Sequence, residues 1–249
     1  AAVAASARGH EVTLVERQNA LGGTLRFTDK DTHKTDLNRY KNYLIGCVNR
    51  TNVNVVLGAE VTDEIVESLR PDAIIVATGA KPIIPFSIKG IEAAHPAIEE
   101  YINTELKLSD ELVIIGSGLV SMAEAIHLAS LGKSVTVLEM ADDFAVEASD
   151  LYGAAIRKEV HDRGIEVVTG AKATEVTSDG VKYTKGGAEC FAKGGTVFYA
   201  VGMHKDERVY FDLYDKAPAV YIIGDCADVG KVDGAVHSGF FAAMDIGDL

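Results

Sequence analysis

No stretch of this 249-residue chain approaches the ~18 consecutive apolar residues of a membrane-spanning helix, and its first residues lack the charged-then-apolar layout of a signal peptide. The expectation is a cytoplasmic protein. Cysteine is scarce: Cys47, Cys190 and Cys226 stand far apart, with no Cys-x-x-Cys pair and no four-cysteine zinc or iron–sulfur spacing. Each reads as a small buried hydrophobe, so any redox chemistry must belong to a bound organic cofactor. His10, His33, His95, His127, His161 and His204 show no metal-ligand spacing either, and no metal site is assigned. Basic residues are in deficit, 24 against 37 acidic ones for a net charge of −13, which argues against nucleic acid and anionic membrane surfaces as partners. A dinucleotide is also an anion, but helix N-termini and backbone N–H groups let an acidic protein hold one. Five prolines against 24 glycines is the usage of an α/β protein with many tight turns, and 47% hydrophobic residues suffice for one large or two modest cores.

What the chain does have is one unit used twice. The opening "AAVAASARGHEVTLVE" and the later "GSGLVSMAEAIHLASLGKSVTVLE" coincide under a shift of 123 positions, which carries Gly9 onto Gly132 and Val12, Thr13 and Glu16 onto Val135, Thr136 and Glu139. In the later copy, Gly116-Ser117-Gly118 lies between the apolar run Leu112 to Ile115 and a helix, and the next strand ends in an acid. That is the dinucleotide-binding fingerprint in its context of strand, glycine turn, helix and strand. Under the same shift the first copy's glycine turn falls upstream of Ala1, and the expectation is a chain cut just after its first phosphate loop.

Between these copies the pattern alternates short strands and helices. A helix is expected over Asp36 to Arg50, a strand over Val53 to Leu57, a short capped helix in "TDEIVESLRP" and a buried strand in "DAIIVATG". Residues 80 to 110 read as a connector. After the second copy come a helix over Leu151 to Arg163, a strand over Ile165 to Thr169, and segments Thr174 to Thr177, Val181 to Thr184 and Thr196 to Ala200, read as antiparallel strands. Met203 to Lys216 reads as a second connector, "AVYIIGDCAD" as a buried strand and "DGAVHSGFFAAMDIG" as a final helix. The fold class is α/β, with two Rossmann-like dinucleotide-binding domains. The NAD domain (80 to 204) is inserted into the FAD domain (1 to 79 and 205 to 249).

Gly116 and Gly118 would let the backbone approach a pyrophosphate at the N-terminus of the helix that starts near Leu119 and Val120, and Ser121 stands where a third small residue is needed. Glu139 ends its strand where an adenine ribose would lie; a carboxylate there accepts hydrogen bonds from both hydroxyls and repels a 2′-phosphate, which favours NAD(H) over NADP(H). The bland alternative is a solvated strand-end acid. Glu16, with Arg17 beside it, is the counterpart in the outer domain. Two dinucleotide sites suggest electron exchange, since hydride leaving a nicotinamide needs an acceptor and a flavin is the common one.

On these stretches, together with "LGGTLR" (21 to 26), "ATGAKPIIP" (77 to 85), "AVGM" (200 to 203), "YIIGDC" (221 to 226) and "AVHSGFFAA" (235 to 243), the chain resembles the C-terminal half of the NADH:flavin oxidoreductases of the 2,4-dienoyl-CoA reductase and enoate reductase family. The resemblance implies FAD as well as NAD(H), with hydride passing from NADH to FAD and on to a separate FMN and iron–sulfur barrel domain that reduces an activated alkene. It implies cofactor contacts at Gly23, Ala77, Thr78, Gly79, Gly202 and Gly224, with Asp225 on the FAD ribityl hydroxyls and Glu16 on the adenosine ribose. It also implies a helix starting at Ala235-Val236-His237 with its N-terminus toward the flavin, although from the residues alone His237 reads equally as a capping or packing group. Hydride transfer between stacked rings needs no protein acid or base, so no catalytic residue is expected.

The sequence departs from that family in lacking the barrel, the cluster cysteines, and the first strand and glycine loop of the FAD domain. The expectation is therefore a longer natural protein, an intact NAD site and weak or lost FAD binding in this chain. An inactive nucleotide-binding fragment and a flavin subunit of another electron-transfer complex stay open as alternatives, as does assembly into a homo-oligomer.

Overall fold

A computed structural model describes residues 1–99 and 105–247. From the start of the chain the elements are α1 (Ala2–Ala7), β1 (Thr13–Glu16), a 3-10 turn (Gly23–Asp29), α2 (Thr35–Asn49), β2 (Asn54–Leu57), α3 (Asp63–Leu69), β3 (Ala73–Val76) and β4 (Ala80–Pro82). Next come a short 3-10 turn (Ile91–Ala93), β5 (His95–Pro96), β6 (Glu111–Ile115), α4 (Leu119–Ser130), β7 (Ser134–Leu138), α5 (Asp150–Asp162) and β8 (Glu166–Val168). The rest are β9 (Ala171–Thr177), β10 (Gly180–Lys185), β11 (Ala188–Lys193), β12 (Thr196–Tyr199), β13 (Met203–Lys205), α6 (Arg208–Leu213), β14 (Ala219–Ile222), a 3-10 turn (Gly224–Cys226) and α7 (Val232–Asp245).

The chain divides into two compact units. Unit 1 comprises Ala1–Asp29, Lys34–Lys81 and His204–Leu249, and unit 2 comprises Pro82–Met203 with Lys30–His33. Unit 2 is built on a five-stranded sheet in the order β5-β12-β6-β7-β8, every neighbouring pair parallel. Its central strand, Glu-Leu-Val-Ile-Ile, is buried at every residue after Glu111, which fits a β-branched run covered on both faces. The strand period of two splits it between two clusters. Leu112 and Ile114 pack with Met122, Leu128, Ile156 and Phe198, whereas Val113 and Ile115 pack with Val181, Val197 and Tyr199. One cluster is thus roofed by α4 and α5, the other by the antiparallel meander β9-β10-β11.

Unit 1 carries two parallel strand pairs, β1 with β2 and β3 with β14. All residues of β1 and β14 are half-buried, and the unit's own buried cluster is small: Val66, Val76, Leu213 and Cys226. The Arg8 guanidinium donates to the carbonyls of Ala243, Met244 and Ile246, a cation closing the C-terminal end of α7. Among the described residues no helix is long and apolar enough to cross a membrane.

The structure departs from the sequence reading in four places. Thr196–Tyr199 is no antiparallel strand: it pairs in parallel with β6, and all four residues are buried, the signature of an inner strand. The third meander strand is instead Ala188–Lys193, joined to β10 across Gly186-Gly187. The two connectors also hold structure, β4, a 3-10 turn and β5 in the first and β13 and α6 in the second, while residues 100–104 of the first lie outside the described residues. Finally, α7 begins at Val232, so Ala235, Val236 and His237 lie one turn inside it, and the Ala235 N–H already donates to the Lys231 carbonyl.

Candidate functional site

The mouth of unit 2 is assembled where β6 runs into α4. Gly116 turns the chain at φ +98°, and a Cβ there would overlap the Ala200 carbonyl oxygen, so only glycine lets the two backbones approach. Ser121, wholly buried on α4, donates to that same carbonyl at 3.3 Å; the third small position is therefore a packing position, and a serine satisfies it. Gly118 is the N-cap of α4 and has no side chain to serve the helix's free N–H groups.

Two carboxylates converge on this mouth. Glu139, the residue after β7, accepts from the Ser117 hydroxyl at 2.5 Å through Oε2 and from the Ala141 N–H at 2.7 Å through Oε1. It thus faces the glycine turn, and Ser117, which is buried, spends its hydroxyl on holding that acid. The second is Glu147, whose Oε1 accepts from the Leu119 N–H at 2.9 Å, seated over Gly118. The N-terminus of α4 accepts an anionic oxygen in the structure itself, the physical requirement for a phosphate seat. Around it, Val120, Met140 and Val146 are exposed apolar side chains at the neighbouring chain positions.

The sequence reading missed Glu147, because it lies 28 residues from its partner in an irregular loop and only folding brings the two together. That loop is well anchored. Arg157 on α5 makes a bidentate pair with Asp143 at 2.9 Å, donates to the Phe144 carbonyl at 3.0 Å and lies 4.4 Å over the Phe144 ring. The guanidinium holds the Asp143 carboxyl below the usual carboxylate range.

Unit 1 repeats part of this geometry. Glu16 accepts from the Gln18 N–H at 2.7 Å, matching the bond from Ala141 to Glu139. The turns before the two strands agree as well: Gly9 and Gly132 both take positive φ, with Gly9 N–H to Ser6 and His10 N–H to Ala5 matched by Gly132 to Ala129 and Lys133 to Leu128. The repeat extends further than the opening segments. Gly58 and Gly170 sit at φ +66° and +64° and donate to Gln18 and Ala141, and "VVLGAEVT" (55 to 62) echoes "VVTGAKAT" (167 to 174), a signal present in the sequence and overlooked. The described residues of unit 1 hold no counterpart of the Gly116–Gly118 turn.

The profile of the family described as pyridine nucleotide-disulphide oxidoreductase matches residues 1–239. The chain belongs to that family. It is 32% identical over 253 residues to a protein named NADH oxidase from Thermoanaerobacter brockii, covering 99% of this chain and 39% of that one. To a bilirubin reductase from Mediterraneibacter gnavus it is 31% identical over 245 residues, covering 98% and 38%. A solved 2-naphthoyl-CoA reductase superposes with a TM-score of 0.93 at 28% identity, over 98% of this chain and 37% of that one. The chain thus spans about two fifths of the length of these relatives. As a member of the pyridine nucleotide-disulphide oxidoreductase family it is an oxidoreductase module of the flavoprotein type with Rossmann-like nucleotide-binding units. Its three cysteines are free thiols, and the buried Cys226 bonds to the Val76 and Ile223 carbonyls.

The remaining sequence-selected residues fall in unit 1, except Gly202, which belongs to unit 2. Arg17 and Gly23 are exposed, and Ala77, Thr78 and Gly79 directly follow β3, with Gly79 at φ +80°. Gly224 at φ +63° donates to the Ser238 hydroxyl, and Asp225 accepts from the Gly230 N–H at 3.2 Å. Ala235, Val236 and His237 are exposed on α7. Gly202, at φ +117°, accepts from the Ile83 N–H at 3.0 Å.

Proposed function

We propose that unit 2 holds NADH and unit 1 serves FAD, so that the chain carries electrons from NADH through a flavin to a separate FMN and iron–sulfur barrel domain acting on an activated alkene. The observation that carries this reading is Glu139, a strand-end carboxylate hydrogen-bonded to the glycine turn beside an anion-accepting helix N-terminus. A carboxylate in that position accepts from ribose hydroxyls and repels a 2′-phosphate. When bound, NADH would supply a hydride and FAD would accept it, chemistry that belongs to the cofactors. The chain's own groups bind and orient. Gly116, Ser117 and Gly118 form the turn against which a diphosphate would lie at the N–H groups of Leu119 and Val120, and Glu139 would hold the sugar.

In unit 1, Glu16 would hold the adenosine ribose and Asp225 the ribityl hydroxyls, while the free N–H groups at the start of α7 are those of Val232, Asp233 and Gly234. Relatives named as an NADH oxidase and a bilirubin reductase support a reductase role. The net charge of −13 argues against nucleic acid and anionic membrane surfaces as partners. A second reading is a nucleotide-binding chain without flavin chemistry.

Calorimetric titration with NADH, NADPH and FAD separately tests both readings. NADH is expected to bind at least about tenfold more tightly than NADPH, since one 2′-phosphate facing a carboxylate is a like-charge contact. FAD uptake supports the electron-transfer reading, and its absence beside intact NADH binding favours the second. A chain that binds neither nicotinamide nucleotide, or prefers NADPH, overturns the assignment of Glu139.

A further inference from the structure

We propose that Glu147 is a built-in competitor for the diphosphate seat: its carboxylate occupies the N-terminus of α4 in the free protein and must be displaced by the incoming dinucleotide. The inference rests on the reading of unit 2 as a nucleotide site. Its carboxylate bonds the Leu119 N–H at 2.9 Å and fills the space over Gly118 that the absence of a side chain leaves open. An oxygen there takes the place a phosphate oxygen would take.

The acid is held in place by its loop. Ala145 is buried, adopts φ +53°, a conformation a non-glycine residue rarely takes, and donates its N–H to the Ser117 carbonyl at 3.1 Å. Ala148 donates back to the Ala145 carbonyl, turning the chain so that Glu147 overhangs the helix end. Arg157, through Asp143 and Phe144, ties the loop to α5. Glu147 itself is exposed, so the loop can release the carboxylate to water without opening the core. Arg157 is then a positioning residue that acts through Glu147.

Two consequences follow for binding. The dinucleotide must break one charge-assisted hydrogen bond and move a like charge aside, which weakens its affinity. Ligands that lack a diphosphate escape this cost.

The experiment is calorimetry on the chain and on E147Q, R157A and the double variant, with NADH, ADP-ribose and adenosine as probes. E147Q is expected to tighten NADH and ADP-ribose by about fivefold, the worth of one charge at a helix N-terminus, and to leave adenosine unchanged. R157A is expected to tighten the same two ligands in the wild-type background and to add nothing in the E147Q background. NADH bound by the wild type with equal or lower affinity in E147Q would overturn the competitor role while leaving the nucleotide site standing. Failure of every form to bind NADH would overturn both. Binding seen in E147Q but not in the wild type would support the inference in its strongest form.

Discussion

At the scale of single residues, two glycines with similar φ do different work. Gly132 at φ +81° ends α4 with open space around it, whereas Gly116 at φ +98° lies against the Ala200 carbonyl. Gly132→Ala should therefore cost only the left-handed penalty, about 1–2 kcal/mol. Gly116→Ala adds a steric overlap with backbone that cannot rotate away, for a total of about 3 kcal/mol or more. Urea unfolding of the two variants checks the difference, and equal losses would mean that the approach of Gly116 to Ala200 is not tight. The same site shows why some residues were legible from sequence and others were not. Gly116, Gly118 and Glu139 announce themselves because glycine and a strand-end acid have fixed places in a β-α-β unit. Glu147 carries no such signal, since an acid in an irregular loop looks like any solvated carboxylate until the chain folds it over Gly118.

At the scale of elements, the parallel strands were readable where burial was complete and the run apolar, as in Leu112 to Ile115. The segment Thr196 to Ala200 was misread because so short a run cannot show whether a strand alternates or is covered on both faces. Ala188–Lys193 was missed because its burial is patchy, although the Gly-Gly pair before it is a hairpin signal. α6 is six residues long, below the length at which helical spacing can be recognised. The meander also carries an electrostatic clasp. On β9, Glu175 accepts from Lys182 and from Lys89, each at 2.7 Å, and the two ammonium groups, Lys182 first, hold its carboxyl down from 4.5 to about 2. Because the folded value lies below the unfolded one, the stabilisation is complete above the unfolded value and fades as the pH falls through 4.5 toward 2. The wild type should melt slightly above Glu175→Gln at neutral pH, and the gap should close near about pH 2. A gap that persists on acidification would assign the difference to packing instead of charge.

At the scale of the whole molecule, the same kind of unit occurs twice but is buried unequally. Unit 2 encloses a five-stranded sheet between two clusters of buried side chains, and its strands β6 and β12 are covered almost completely. In unit 1 the strands form only separate two-stranded pairs, every residue of β1 and β14 is half-exposed, and the unit's own buried cluster has four members. Burial of apolar surface is the main term opposing chain entropy, so local opening should be cheaper in unit 1. Amide hydrogen exchange followed by mass spectrometry should find peptides over residues 111–138 and 196–199 protected long after those over 13–16, 54–57, 73–76 and 219–222 have exchanged. The parallel hydrogen bonds of β1 with β2 and of β3 with β14 are formed in both pairs, so their mere presence does not decide the outcome. What decides it is whether water reaches those bonds without unfolding the unit. Equal protection in the two units would mean that strand pairing alone, without a deep core, sets the opening free energy here, and the argument from burial would fail.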